Sequence, residues 1–133
     1  MVLITYFGLR ESGKDKEADQ VLQQAAARCD RSVWPYPILN YLRFKITQED
    51  VISAANTERV GSALTKTKKV IPLFQYVPNR TLTTEAHTYI AIALALAADT
   101  NQALLHLQWV KKNGDRLSLE YRLALSKLNE FEK

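Results

Sequence analysis

The chain has 133 residues, of which 47% are hydrophobic and 24% charged, with a formal net charge of +4 and a single cysteine. That is one globular domain with enough apolar material for a core, only mildly basic, and unable to form an internal disulfide. No apolar run approaches the roughly 18 residues needed to span a bilayer, and Met1-Val2-Leu3-Ile4-Thr5 lacks the zones of a secretory signal.

Only four glycines and four prolines occur, and the prolines lie outside the helical runs or at their starts, which predicts an all-α domain. Residues 2–12 open inside an apolar pattern (Val2, Leu3, Tyr6, Phe7, Leu9) with no capping residue ahead of them. The first helix therefore reads as cut short, as in a fragment of a longer protein. Gly13 suits a left-handed helix end, and Asp15 the start of the next helix. Ala18, Val21, Leu22, Ala25 and Ala26 then fall on one helical face.

Ser32 and Trp34-Pro35 predict the opening of a third helix, with Ile38, Leu39, Tyr41, Leu42 and Ile46 on its apolar side. Thr47-Gln48-Glu49-Asp50 reads as a capped start with acids in the first turn. The fourth helix carries Val51, Ile52, Ala54 and Ala55 and is expected to continue through Val60 and Ala63. Residues 64–83 fit no helical face. Lys66, Lys68, Lys69 and Arg80 bring charge, and Pro72 and Pro78 bracket an apolar pentapeptide, so an irregular insertion is expected.

Helical order is predicted to return at Thr84-Glu85, with Ile90, Ala91, Leu94 and Ala97 on one face. Asp99-Thr100-Asn101 makes a turn. Ala103, Leu104, Leu107 and Val110 form the next face, which Asn113-Gly114 ends. A last helix is expected from about Leu117 to Phe131, with Leu117, Tyr121, Ala124, Leu125, Leu128 and Phe131 in register and a polar outer side that closes the assembly.

One pattern occurs twice. Tyr6-x-x-Leu9 leads to Ala18-x-x-x-Leu22-x-x-Ala25, and Ala91-x-x-Leu94 leads to Ala103-x-x-x-Leu107-x-x-Val110. Ala18 and Ala103 lie 85 residues apart, two and a half periods of roughly 34, the period of stacked helix pairs. Residues 2–30 and 85–115 resemble tetratricopeptide repeats, in which small residues sit where two helices cross and large apolar ones face the following helix. Ala98 stands where that pattern has glycine in the turn, and Asp30 and Asp115 where proline often closes a repeat.

A further resemblance covers Trp34-Pro35, Tyr41-Leu42-x-x-Lys45-Ile46-Thr47-x-Glu49, Thr84-Glu85-x-x-x-Tyr89 and Glu120-Tyr121-Arg122-x-Ala124-Leu125-x-x-Leu128. This is similar to the C-terminal repeats of bacterial tetratricopeptide adaptor lipoproteins, with Phe44 where glycine is usual. The resemblance implies a short right-handed all-α solenoid of about seven helices that brings other proteins together. In the family register Phe7, Arg10, Thr88, Ile92, Arg122, Ser126 and Asn129 face a concave groove, suited to a peptide or helix with apolar anchors and some acidic character.

Catalytic sets are not visible. His87 and His106 lie 19 residues apart without ligand spacing, and read as an exposed first-turn residue and a helix-surface residue. Cys29 has no histidine near it in sequence, and no glycine-rich loop could cradle phosphate. Trp34 and Trp109 suit partner anchors, but core packing at a helix start and against the terminal helix is the preferred reading. No enzyme activity, metal or cofactor is expected. A protein or peptide partner leads. A structural or self-associating segment, through exposed Val2, Leu3 and Phe7, comes second, and nucleic-acid binding through the lysine-rich insertion third.

Overall fold

A computed structural model describes residues 2–30, 34–56 and 80–132, and these are all helix or turn, with no strand among them. The helices are α1 (Val2–Glu11), α2 (Asp15–Arg28), α3 (Tyr36–Leu42), α4 (residues 48–56), α5 (Arg80–Leu96), α6 (Thr100–Asn113) and α7 (Leu119–Glu132). The expectations placed on Ser32, on the continuation through Val60 and Ala63, and on residues 64–79 fall outside the described residues.

One turn is built three times. Gly13, Phe44 and Ala98 all have positive φ (79°, 62° and 65°). At each, the turn residue donates its N–H three residues back, to Arg10, Tyr41 and Ala95, at 3.0–3.1 Å. The residue after it donates five back, to the carbonyls of Leu9, Asn40 and Leu94, each at 2.9 Å. This pair of bonds closes the open carbonyls of a helix end, and it needs a left-handed residue at the corner.

The following helix then starts from Lys14, Thr47 or Asp99. Thr47 and Asp50 cap each other reciprocally, side chain to backbone, at 3.2 and 3.1 Å, and Asp99 accepts from the N–H of Gln102 at 3.3 Å. Four residues beyond each start lies a fully buried residue, Ala18, Val51 or Ala103, and four further on another, Leu22, Ala55 or Leu107. Three hairpins, α1–α2, α3–α4 and α5–α6, thus bury equivalent positions. α7 packs on α5 and α6.

The core has two parts. The larger joins Tyr6, Phe7, Leu22, Ile38, Leu39, Val51, Tyr89 and Ile90; the smaller joins Ala91, Ala103, Leu107, Val110, Ala124 and Leu128; Leu94 packs against both. α1 lies directly on α5, where the Phe7 and Tyr89 rings stack with centroids 5.7 Å apart and 3° between planes. Glu11 on α1 pairs with Lys127 on α7.

Several boundaries differ from the sequence reading. α6 starts at Thr100, directly after its Asp99 cap, where the sequence predicts a turn through Asn101. Residues 80–83 are the first turn of α5 and not part of an irregular insertion. Thr83 and Thr84 return their hydroxyls to the Arg80 carbonyl, and Thr81 and Thr84 bind Asp115. α3 stops at Leu42, so Ile46 reaches the core from the link after Phe44. α7 starts at Leu119, because the Ser118 hydroxyl caps the N–H of Tyr121. Leu117 is left in the turn, exposed and out of register.

Candidate functional site

The sequence-derived groove does not lie open. Phe7 and Ile92 are buried in the core that α1 and α5 share, and Thr88 is buried with its hydroxyl donating to the Glu120 carbonyl on α7 at 3.4 Å. Arg10 is half-buried. Its guanidinium donates to the Tyr6 hydroxyl at 2.8 Å and pairs with Asp15 at 3.2 Å. Arg122, Ser126 and Asn129 are exposed on α7. What remains between α1, α5 and α7 is a cleft of about 110 Å³, bounded by Ile92, Leu96, Phe131 and the Glu11–Lys127 pair.

A larger cavity, about 560 Å³, opens where α1 and α2 meet the start of α3 and the side of α5. Val2, Leu3, Val21, Ala25, Pro35 and Leu39 make it predominantly apolar. The cis peptide bond between Trp34 and Pro35 precedes α3, and the Trp34 indole stands in the cavity wall. Its Nε1–H donates to Glu85 Oε2 at 2.7 Å. Trp34 therefore packs at a helix start, as the sequence reading preferred, while its polar edge serves the cavity.

Two carboxylates line this space. Glu85 is half-buried on α5, and burial raises its pKa above the ordinary value. The Trp34 hydrogen bond opposes that rise, and the charge of Glu120 adds to it. Glu120, in the first turn of α7, is only 9% exposed and accepts from the Tyr89 hydroxyl at 3.0 Å. Burial and the two carboxylates push the Tyr89 phenol well up. Arg28 stands at the mouth, exposed, and among the described residues no cation pairs with either carboxylate. Cys29 is half-buried in the same wall.

His87 departs most from the sequence reading. Because α5 begins at Arg80, His87 sits in mid-helix and is 8% exposed, stacked on Trp109 with centroids 3.9 Å apart. Its Nδ1 lies 2.8 Å from Nδ1 of half-buried His106, whose Nε2 is 2.6 Å from Gln48 Oε1. A second cavity, about 780 Å³, has His87 and Trp109 in its wall together with Arg80, Lys112, Asp115 and Arg116. No group of three potential metal ligands converges among the described residues.

Sequence reasoning missed Glu85, Glu120 and Tyr89 as a set. Their spacing carries the signal only after α5 and α7 are placed side by side. No helix among the described residues is long and apolar enough to cross a membrane. Comparison with protein-family models, curated proteins and solved structures found no match.

Proposed function

We propose that the chain is a non-enzymatic binding module of the tetratricopeptide kind, an adaptor or scaffold that holds a peptide or helix of a partner protein. The observation that carries this reading is the turn repeated at Gly13, Phe44 and Ala98, each followed by the same buried pair of positions. Hairpins that repeat in this way cannot bury their apolar faces alone, and their side-by-side packing leaves elongated surfaces that suit other chains. The partner site is the apolar cavity beside Trp34, since the family-register groove is filled by α1.

The test is capture of a partner by the purified chain, repeated with Ala25→Phe, which narrows the cavity, and with Arg122→Ala plus Asn129→Ala, which alters exposed α7. Loss of the partner with the first and retention with the second supports the assignment. Retention with both rejects the site, and failure to bind any protein rejects the module.

The second reading is self-association. Val2 and Ile4 on α1 are exposed, as are Leu117 just before α7 and Leu119 at its start. Light scattering that gives monomer mass at every concentration rejects it.

A further inference from the structure

Within the binding module proposed above, we infer that the Trp34 cavity takes a lysine or arginine side chain carried on an apolar peptide, its charge meeting the carboxylates of Glu85 and Glu120. The inference rests on that reading for the peptide, and on three observations for the charge.

The first is the mismatch between walls and floor. The cavity, about 560 Å³, is the size of a site for a few side chains, and its walls are predominantly aliphatic. Carboxylates in such a place lose hydration and need a partner. The second is that the partners present are incomplete. Glu85 Oε2 accepts from Trp34 and Glu120 Oε1 from Tyr89, but Oε1 of Glu85 and Oε2 of Glu120 accept nothing among the described residues. Glu120 is more than nine-tenths buried and lines the cavity.

The third observation is charge balance. The bonds from Trp34 and Tyr89 are neutral donors, which orient the carboxylates without cancelling their charge. Among the described residues the cation in the wall is Arg28, which is exposed and outside ion-pairing distance of both carboxylates. A basic side chain entering past Val21 and Ala25 would lay its methylenes on the apolar wall and its head between the two acids. That matches the amphipathic character of lysine and arginine. The carboxylates favour no anion and gain nothing from a neutral apolar group, so the site separates ligands by head charge.

Three acetylated and amidated pentapeptides test this, alike except at the centre: Ala-Leu-X-Leu-Ala with X lysine, norleucine or glutamate. Binding is read from the Trp34 indole N–H resonance and from Trp34 emission. The lysine peptide is expected to bind at least about tenfold more tightly than the norleucine peptide, and the glutamate peptide least. In Glu85→Gln/Glu120→Gln, which keeps acceptors for Trp34 and Tyr89, the lysine preference is expected to vanish. Glu85→Gln alone, whose folding is checked by melting, is expected to reduce it several-fold.

Equal binding of the lysine and norleucine peptides makes this a plain apolar groove and overturns the inference. So does a lysine preference that survives in the double variant, or the absence of any shift with the lysine peptide. Concentration-dependent change at Trp34 without peptide assigns the cavity to a second copy and overturns it too. Lysine selectivity without capture of any protein would instead leave the charge site standing and reject the adaptor reading.

Discussion

His87 and His106 face one another through their Nδ1 atoms at 2.8 Å, which fixes one proton arrangement for the pair. With Gln48 Oε1 accepting from His106 Nε2, neutral His106 has a bare Nδ1, and His87 must donate from its own Nδ1. Nitrogen-detected NMR at pH 7 is expected to find His87 as the Nδ1–H tautomer and His106 as Nε2–H. A second proton on His106 sets two N–H donors face to face, and one on His87 puts a single charge on a ring buried against Trp109.

The same pair makes stability pH-dependent. Burial first, and then the charge of His106, lower the His87 pKa from 6.5 to about 4; burial lowers that of His106 as well, against a rise from Glu49. The unfolded chain takes up protons below pH 6.5 that the folded chain refuses until about pH 4. Stability is therefore full above pH 6.5 and falls across that window, by at most about 3 kcal/mol for His87. Denaturant melts at pH 7, 6, 5 and 4 read the slope. In His87→Phe, which keeps a ring on Trp109, the decline is expected to be shallower.

The three left-handed turn residues give opposite outcomes with glycine. A left-handed residue with a side chain costs about 1–2 kcal/mol, and an unfolded glycine recovers part of that in entropy. Phe44→Gly and Ala98→Gly are each expected to stabilise by about 0.5–1 kcal/mol, a few degrees in Tm. Phe44 is 94% exposed, so its ring contributes no packing that would be lost. Gly13→Ala is expected to destabilise by about 1 kcal/mol. Urea melts of the three single variants decide the matter.

These turns also mark how far the fold was legible. Gly13 announces its helix end and Thr47 its helix start, because local hydrogen bonds decide there; Asp99-Thr100-Asn101 reads as a turn in sequence, yet Asp99 caps a helix that begins at Thr100. Ala98 and Phe44 occupy positions where the resembled pattern has glycine, and the backbone takes the glycine conformation at both. The hairpin faces around Ala18 and Ala103 were legible from helical period. The placement of α1 was not, since nothing in Tyr6-Phe7 says that Phe7 meets Tyr89 across 82 positions and not a ligand. His87 was misread for a related reason. Residues 80–83 look irregular in sequence, but they are helical, with Thr81 and Thr84 tied to Asp115. The acid pair at Glu85 and Glu120 likewise depends on which helices become neighbours.

If α1 belongs to the core, its inward ring must carry stability and the exposed side of α7 must not. Phe7→Ala removes the ring that stacks on Tyr89 and leaves a cavity. A loss of about 3–5 kcal/mol is expected. Arg122→Ala, on an exposed position, is expected to stay within about 0.5 kcal/mol. Equal, small effects in thermal melts would mean that α1 rests loosely on α5, and that Phe7 is available to partners after all.

Glu85 should act against stability at neutral pH. Burial raises its pKa above 4.5, so the folded chain holds a proton that the unfolded chain has already released. The protonated form contributes stability that is present below pH 4.5 and lost as pH rises through the folded value. Glu85→Gln keeps an acceptor for the Trp34 N–H and removes the charge. The variant is expected to melt higher than the native chain at pH 7, with the gap closing as pH drops below 4.5. A carboxylate that lowers stability where it stands is free to serve a task other than folding. Were Glu85→Gln to melt lower at pH 7, the carboxylate would be a packing element satisfied by Trp34, and the case for a waiting cation site would lose its energetic ground.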